Sequence, residues 1–101
     1  MVQGCRSSGL LDQSAIIYTG RVKVMSFRAT SIAGPCIVKL FDGIDNTGLE
    51  IARISIGQNI PGAPPTIIDE TMEFDLHGVI CNTGLYYEET SGDAAAFVEF
   101  V

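Results

Sequence analysis

Tryptophan is absent from this chain of 101 residues, histidine occurs once, and cysteine three times. Each scarcity closes off a class of function. Cys5, Cys36 and Cys81 form no CxxC pair. An odd, scattered set of thiols does not make a disulfide framework and fits a chain folded in a reducing cytoplasm. A zinc site wants four ligands at short spacings, which one histidine and no paired cysteine do not supply. Cys36 and Cys81 each sit in an apolar run and read as small core residues. His77 precedes Gly78 after a strand-like run and reads as a turn residue. There is no G-x-S-x-G nucleophile motif, no phosphate loop and no dinucleotide fingerprint. No catalytic residue, metal or cofactor is therefore assigned, and the chain reads as something other than an enzyme.

Basic residues are also few. Six lysines and arginines face twelve acids, giving a net charge of −6. Direct nucleic-acid binding needs a basic stripe to replace phosphate counterions, so that partner is not expected. No apolar run approaches the roughly 20 residues that span a bilayer. The N-terminal stretch lacks a basic region followed by a long apolar core, and no Asn-x-Ser/Thr sequon occurs. The expectation is a protein made and used without secretion and without a membrane. Charged residues make up 18% of the chain and apolar ones 47%. Soluble domains carry roughly 25% charge, so this composition points to a surface partly covered by a partner.

What is present is β-chemistry. Ile37, Val38, Leu40 and Phe41 form one short run, and Leu49, Ile51, Ile54 and Ile56 a second. Between them, Asp42 to Gly48 is almost pure turn chemistry, which predicts a hairpin. Ala15 to Tyr18 is a short strand. In Arg21 to Thr30, Val22 and Val24 share one parity while Met25 and Phe27 take the other. Either both faces of that strand are covered, the favoured reading, or a bulge near Val24 and Met25 shifts its register. Ser31 to Pro35 and Glu89 to Asp93 read as turns. Thr66 to Leu76 alternates cleanly, with Ile68, Met72, Phe74 and Leu76 predicted to face the core and Asp69, Thr71, Glu73 and Asp75 the solvent. Val79 to Cys81, Leu85 to Glu88 and Ala94 to Val101 complete the set. Tyr86 and Tyr87 fall on opposite faces, one for the core and one free for a contact. Seven to eight strands with turns roughly every ten residues predict an all-β fold, an antiparallel β-sandwich or jelly roll. Residues 1–11 read as an N-terminal arm and 12–101 as one domain.

Two carboxylate groupings need weighing. Asp42, Asp45 and Glu50 flank the hairpin turn and raise the question of calcium, but the spacing is not that of an EF-hand loop and turn chemistry accounts for it. Asp69, Glu70, Glu73, Asp75, Glu88 and Glu89 raise the question of paired carboxylates for glycoside hydrolysis. With no tryptophan to stack a sugar and little chain to build a cleft, they read as a solvated acidic face.

The chain resembles the small β-sandwich structural proteins of tailed bacteriophages. The resemblance rests on Arg21-Val-Lys-Val24 leading through Ala33-Gly34 to Val38-Lys-Leu-Phe-Asp42-Gly43. It continues through Asn46-Thr-Gly48 to Ile51-Ala-Arg-Ile54, and returns in Gly78-Val-Ile-Cys-Asn-Thr-Gly84-Leu-Tyr-Tyr87 with the terminal strand. It covers roughly residues 14 to 101. It implies a virion component on the capsid exterior, a decoration or cement protein that binds the major capsid protein and is often a trimer. A tail- or fibre-associated module for attachment or glycan binding is the alternative. Such proteins carry no catalytic residues to transfer. The segments expected to touch a partner are the arm Val2–Leu11, the loop Asn59–Pro65 and the doubly apolar strand Val22–Phe27. Within them the expected contacts are Val2, Arg6, Leu10, Leu11, Met25, Phe27, Ile60, Pro61 and Pro64.

Overall fold

The computed structural model describes residues 6–56 and 71–101, with their side chains except those at positions 33, 34 and 71. The described chain is all-β. Its strands are β1 (Arg6–Ser7), β2 (Ala15–Thr19), β3 (Val22–Asp42), β4 (Leu49–Ile56), β5 (Thr71–Cys81) and β6 (Gly84–Phe100), with a single-residue bridge from Leu11 to Ala96. Every pairing is antiparallel, and all six strands belong to one sheet.

Two long strands organise it. β3 and β6 pair from Val24↔Phe100 at one end to Phe41↔Tyr86 at the other. The first half of β3 also pairs with β5, and its second half with β4. β6 likewise takes β2 beside its start and β1 beside its end. The expected hairpin is present, running from Cys36↔Ile56 to Asp42↔Leu49.

The segments 31–35 and 89–93, read as turns, do not reverse the chain. Both stay inside strands, facing each other across register shifts at Ala33↔Asp93 and Ile37↔Ser91. Glycine and proline here mark a bend in a continuous ribbon rather than its ends, since bulges in paired strands accommodate both residues. Gly92 sits at φ 74°, and a Cβ placed there would lie 2.2 Å from the Pro35 carbonyl oxygen. The two strands approach so closely at this corner that only glycine fits.

The parity conflict in Arg21–Thr30 is resolved by a bulge, not by coverage on both faces. The register shifts between Val24 and Ser26 in both pairings of β3. Val24 faces Val79 and Ser26 faces Asp75, so Leu76, His77 and Gly78 stand opposite Met25 alone. His77 takes φ 52° there, and its N–H donates to Asp75 Oδ1 at 3.0 Å. His77–Gly78 therefore interrupts β5 without ending it. The shift returns Phe27 to the face of Val22 and Val24, and all three are buried.

The sheet curls so that its halves meet. The Phe27 ring, in the first half of β3, lies edge-on to Tyr87, 6.1 Å away between centroids, and Tyr87 belongs to the second half of the ribbon. Tyr18 of β2 meets Phe100 in a tilted arrangement, 5.9 Å between centroids. Val24, Phe27, Val38, Leu40, Leu85, Tyr87 and Val98 form the centre of the resulting core. Edge-to-face aromatic packing adds to the burial of apolar area there.

Candidate interaction surface

Asp42 closes one end of the curl. Its Oδ1 accepts the Thr83 N–H at 2.9 Å and the Gly84 N–H at 3.4 Å, and its Oδ2 accepts the Asn82 N–H at 3.1 Å. Partial burial would raise this carboxyl, but the three N–H donors outweigh it and hold the group below its ordinary value. Asp45 is engaged by its neighbour Thr47, through both the hydroxyl and the N–H. The two loop aspartates are thus occupied by protein donors, and no cluster of metal-ligating side chains occurs among the described residues. Turn-type hydrogen bonds account for both aspartates of this loop.

The opposite end carries a polar cluster that composition did not reveal. The Tyr87 hydroxyl, buried with its ring, donates to Glu89 Oε1 at 3.3 Å. The Glu89 N–H donates to Ser14 Oγ at 3.0 Å. Burial pushes the Glu89 carboxyl up; bonds from Tyr87 and the Ala94 N–H oppose this, while Asp93 and Asp12 add to it. Cys36 lies close by, its thiol raised by burial. Glu89 is half-buried, so it is a tied corner residue rather than a member of the solvated acidic face expected for it. Glu73 and Asp75, by contrast, are exposed.

Of the residues expected to touch a partner, Val2, Ile60, Pro61 and Pro64 lie outside the described residues. Arg6 is exposed on β1 opposite Phe100, and Leu10 is exposed. Met25 is half-buried at the bulge. Two expectations are corrected. Leu11 is buried, because its backbone bridges to Ala96 in both directions and draws its side chain into the core. Phe27 is fully buried, because the bulge turns it inward. Within the described residues, the arm docks on this chain's own β6.

The tyrosine pair divides as expected, with Tyr87 in the core and Tyr86 half-buried on the other face beside Phe41. The alternation of β5 gives a different outcome. Met72 pairs with Ala29 and Phe74 with Phe27, so both share the inward parity. They are nevertheless 42% and 43% exposed, because β5 is an edge strand that pairs only with β3 among the described residues. Periodicity assigns the face of a strand but does not say whether anything covers that face. Ile80, Phe97, Leu49 and Ile16 are other large apolar side chains left exposed.

An open pocket of about 210 Å³ lies where β3, β5 and the end of the chain meet, lined by Arg21, Val22, Lys23, Ile80 and Val101. Lys23 and Ile80 are register partners. Searches of family models, of curated proteins and of solved structures find no match to this chain.

Proposed function

We propose that this chain is a structural protein that acts by protein–protein contact, as a capsid decoration or cement protein on the outside of a phage virion. On this reading the curled sheet is a β-sandwich of jelly-roll kind, its two halves forming the layers. Its partner is the major capsid protein, and it works as a homo-oligomer, with a trimer favoured. The observation that carries the reading is the set of large apolar side chains left exposed on a sparsely charged domain, foremost Met72 and Phe74 on the edge strand. Apolar area of this kind marks an interaction surface. A shell multiplies it, because linked copies rebind at high effective concentration and many modest contacts add up.

The test is co-sedimentation of the purified protein with intact particles or emptied capsids, alongside its mass in solution. Saturable binding to capsids at a fixed ratio to the shell subunits supports the reading. A protein that stays in the supernatant with capsids but pellets with tails or fibres, or is retained on a glycan array, replaces it with an attachment module.

A further inference from the structure

We infer that the edge of β5 at residues 72–75 takes up one strand of a different protein, an extended segment in which basic and apolar residues alternate. The inference rests on the reading of this chain as a protein that acts by contact, and it names the mode and the chemistry of that contact.

Among the described residues β5 pairs on one side only, with β3. The two faces of its regular run differ in kind. Met72 and Phe74 lie on the inward face with Ala29 and Phe27, and are 42% and 43% exposed. Glu73 and Asp75 lie on the outward face with Arg28 and Ser26, and their side chains are 55% and 63% exposed. A strand added beside this run has the same two faces at the same spacing, on the order of 7 Å between side chains on one face. Its inward residues would cover Met72 and Phe74, and its outward residues would stand beside the two carboxylates. In such an addition main-chain hydrogen bonds give affinity and alternate side chains give specificity.

The outward face sets the sign of the incoming charge. Next to Asp75 and Ser26 in the sheet stands Glu99, also exposed. The cation in these rows is Arg28, whose bond to Glu73 is long, at 3.4 Å, and open to solvent, so it neutralises Glu73 weakly. Asp75 is engaged by His77 alone. Lys23 and Arg21 stand at the other end of β5, beside Ile80 and beyond the bulge. Lysine or arginine on the incoming strand therefore gains by standing opposite residues 73 and 75, because opposite charges on neighbouring strands attract and like charges repel.

The described strands of a second copy do not supply this segment. The alternating run Arg21–Val24 lies at the start of β3, where Lys23 is held by β5 on one side and by the Val101 backbone on the other. Arg6 stands on a strand of two residues, and β2 has no cation. Arg53 of β4 is tied to Glu50, which would bring a carboxylate to an acidic face.

Fluorescence anisotropy with a labelled peptide of alternating lysine and valine tests this. The wild type should bind it saturably, and less tightly as salt rises. A peptide of the same composition with its lysines in one block should bind roughly tenfold more weakly or worse, since it cannot keep charge on one face and apolar groups on the other. The alternating peptide N-methylated at every amide should not bind. E73K/D75K, shown to be folded by thermal unfolding, should release the lysine peptide and take up an alternating glutamate–valine peptide that the wild type ignores. Amide hydrogen exchange should slow at 72–75 on binding and not in β1, β2 or β4. Equal binding of the blocked or methylated peptide, or unchanged binding by E73K/D75K, would overturn the inference. So would exchange at 72–75 that slows with protein concentration alone, which would put a second copy on the edge. A wild type that ignores the peptide yet pellets with capsids removes this contact and leaves the decoration reading in place. One that binds the peptide and ignores capsids keeps the edge and removes the capsid as partner.

Discussion

Gly9 and Gly92 have the same backbone conformation, φ 74°, in different surroundings, and alanine at each separates two costs. A Cβ at Gly9 meets nothing within 4 Å, so Gly9→Ala pays only for the left-handed backbone. That is about 1–2 kcal/mol for an L-residue. At Gly92 the same Cβ would stand 2.2 Å from the Pro35 carbonyl oxygen and 2.9 Å from Cys36 Cα, atoms of the backbone that cannot rotate away. Relieving such an overlap in a packed region costs about 1–3 kcal/mol more. Gly92→Ala should therefore destabilise by about 2–5 kcal/mol in all. One kcal/mol lowers the melting temperature of a domain of this size by about 4–8 °C. Thermal unfolding followed by far-ultraviolet circular dichroism should show Gly92→Ala melting well below Gly9→Ala, by at least about 4 °C. Equal melting temperatures would mean that β3 and β6 do not approach closely at the corner, and the bend described above would be wrong.

Three further outcomes follow from the polar ends of the curl. Asp42→Ala strips the acceptor from three N–H groups and should cost about 1–3 kcal/mol at neutral pH in urea unfolding. Because the folded carboxyl is held low, its contribution is complete above the unfolded value of about 4 and is lost as pH falls through the folded value; the variant should lack that acid limb. Glu89 has the opposite sign: its folded carboxyl is raised, so its contribution is present below the unfolded value of about 4.3 and fades as pH rises through the folded one. Glu89→Gln should therefore be at least as stable as the wild type at neutral pH and flatter across the mildly acidic range, and a loss of stability at neutral pH would refute that sign. Cys36 and Cys81 are buried, with the Cys81 thiol pushed up to about 11 by burial and by Asp42. Peptide mapping after a thiol reagent should find both unlabelled in the native protein and labelled on unfolding, and labelling of Cys81 in the native protein would count against the packing of the β5–β6 turn.

The strands were legible in the sequence wherever one residue type or one period dominated. The hairpin from Cys36 to Ile56 follows from aliphatic runs around a Gly/Asp/Asn turn, and the separation of Tyr86 from Tyr87 follows from a period of two. The corner at 31–35 and 89–93 was not legible, because glycine and proline signal a turn and a bulge with the same residues. Only the pairing partner tells them apart: Gly92 opposite Pro35 is a bend because two strands bend together. Phe27 was misassigned for a related reason. A bulge reverses parity, and what accommodates it is His77 and Gly78 on β5, far away in sequence. Of the expected contact residues, Leu11 and Phe27 looked like sticky surface because composition reports apolarity, not direction. Met72 and Phe74 looked like core because alternation reports direction, not coverage.

The edges of the sheet show where a partner would enter. An exposed edge invites pairing with another chain, and proteins blunt it by shortness, charge or irregularity. β1 and β2 are short, at two and five residues. β4 carries Glu50, which pairs with Arg53 of the same strand and with Lys39 of β3. β5 is irregular only at its bulge, and beyond it the run 71–75 is regular, paired on one side, and presents two large apolar side chains. Acidic residues protect that run against another copy of itself, since Glu73 and Asp75 would meet their own like charges across an antiparallel β5–β5 pairing. They do not protect it against a cationic apolar surface. The edge is thus guarded by charge against symmetric pairing and left open to a partner of unlike charge.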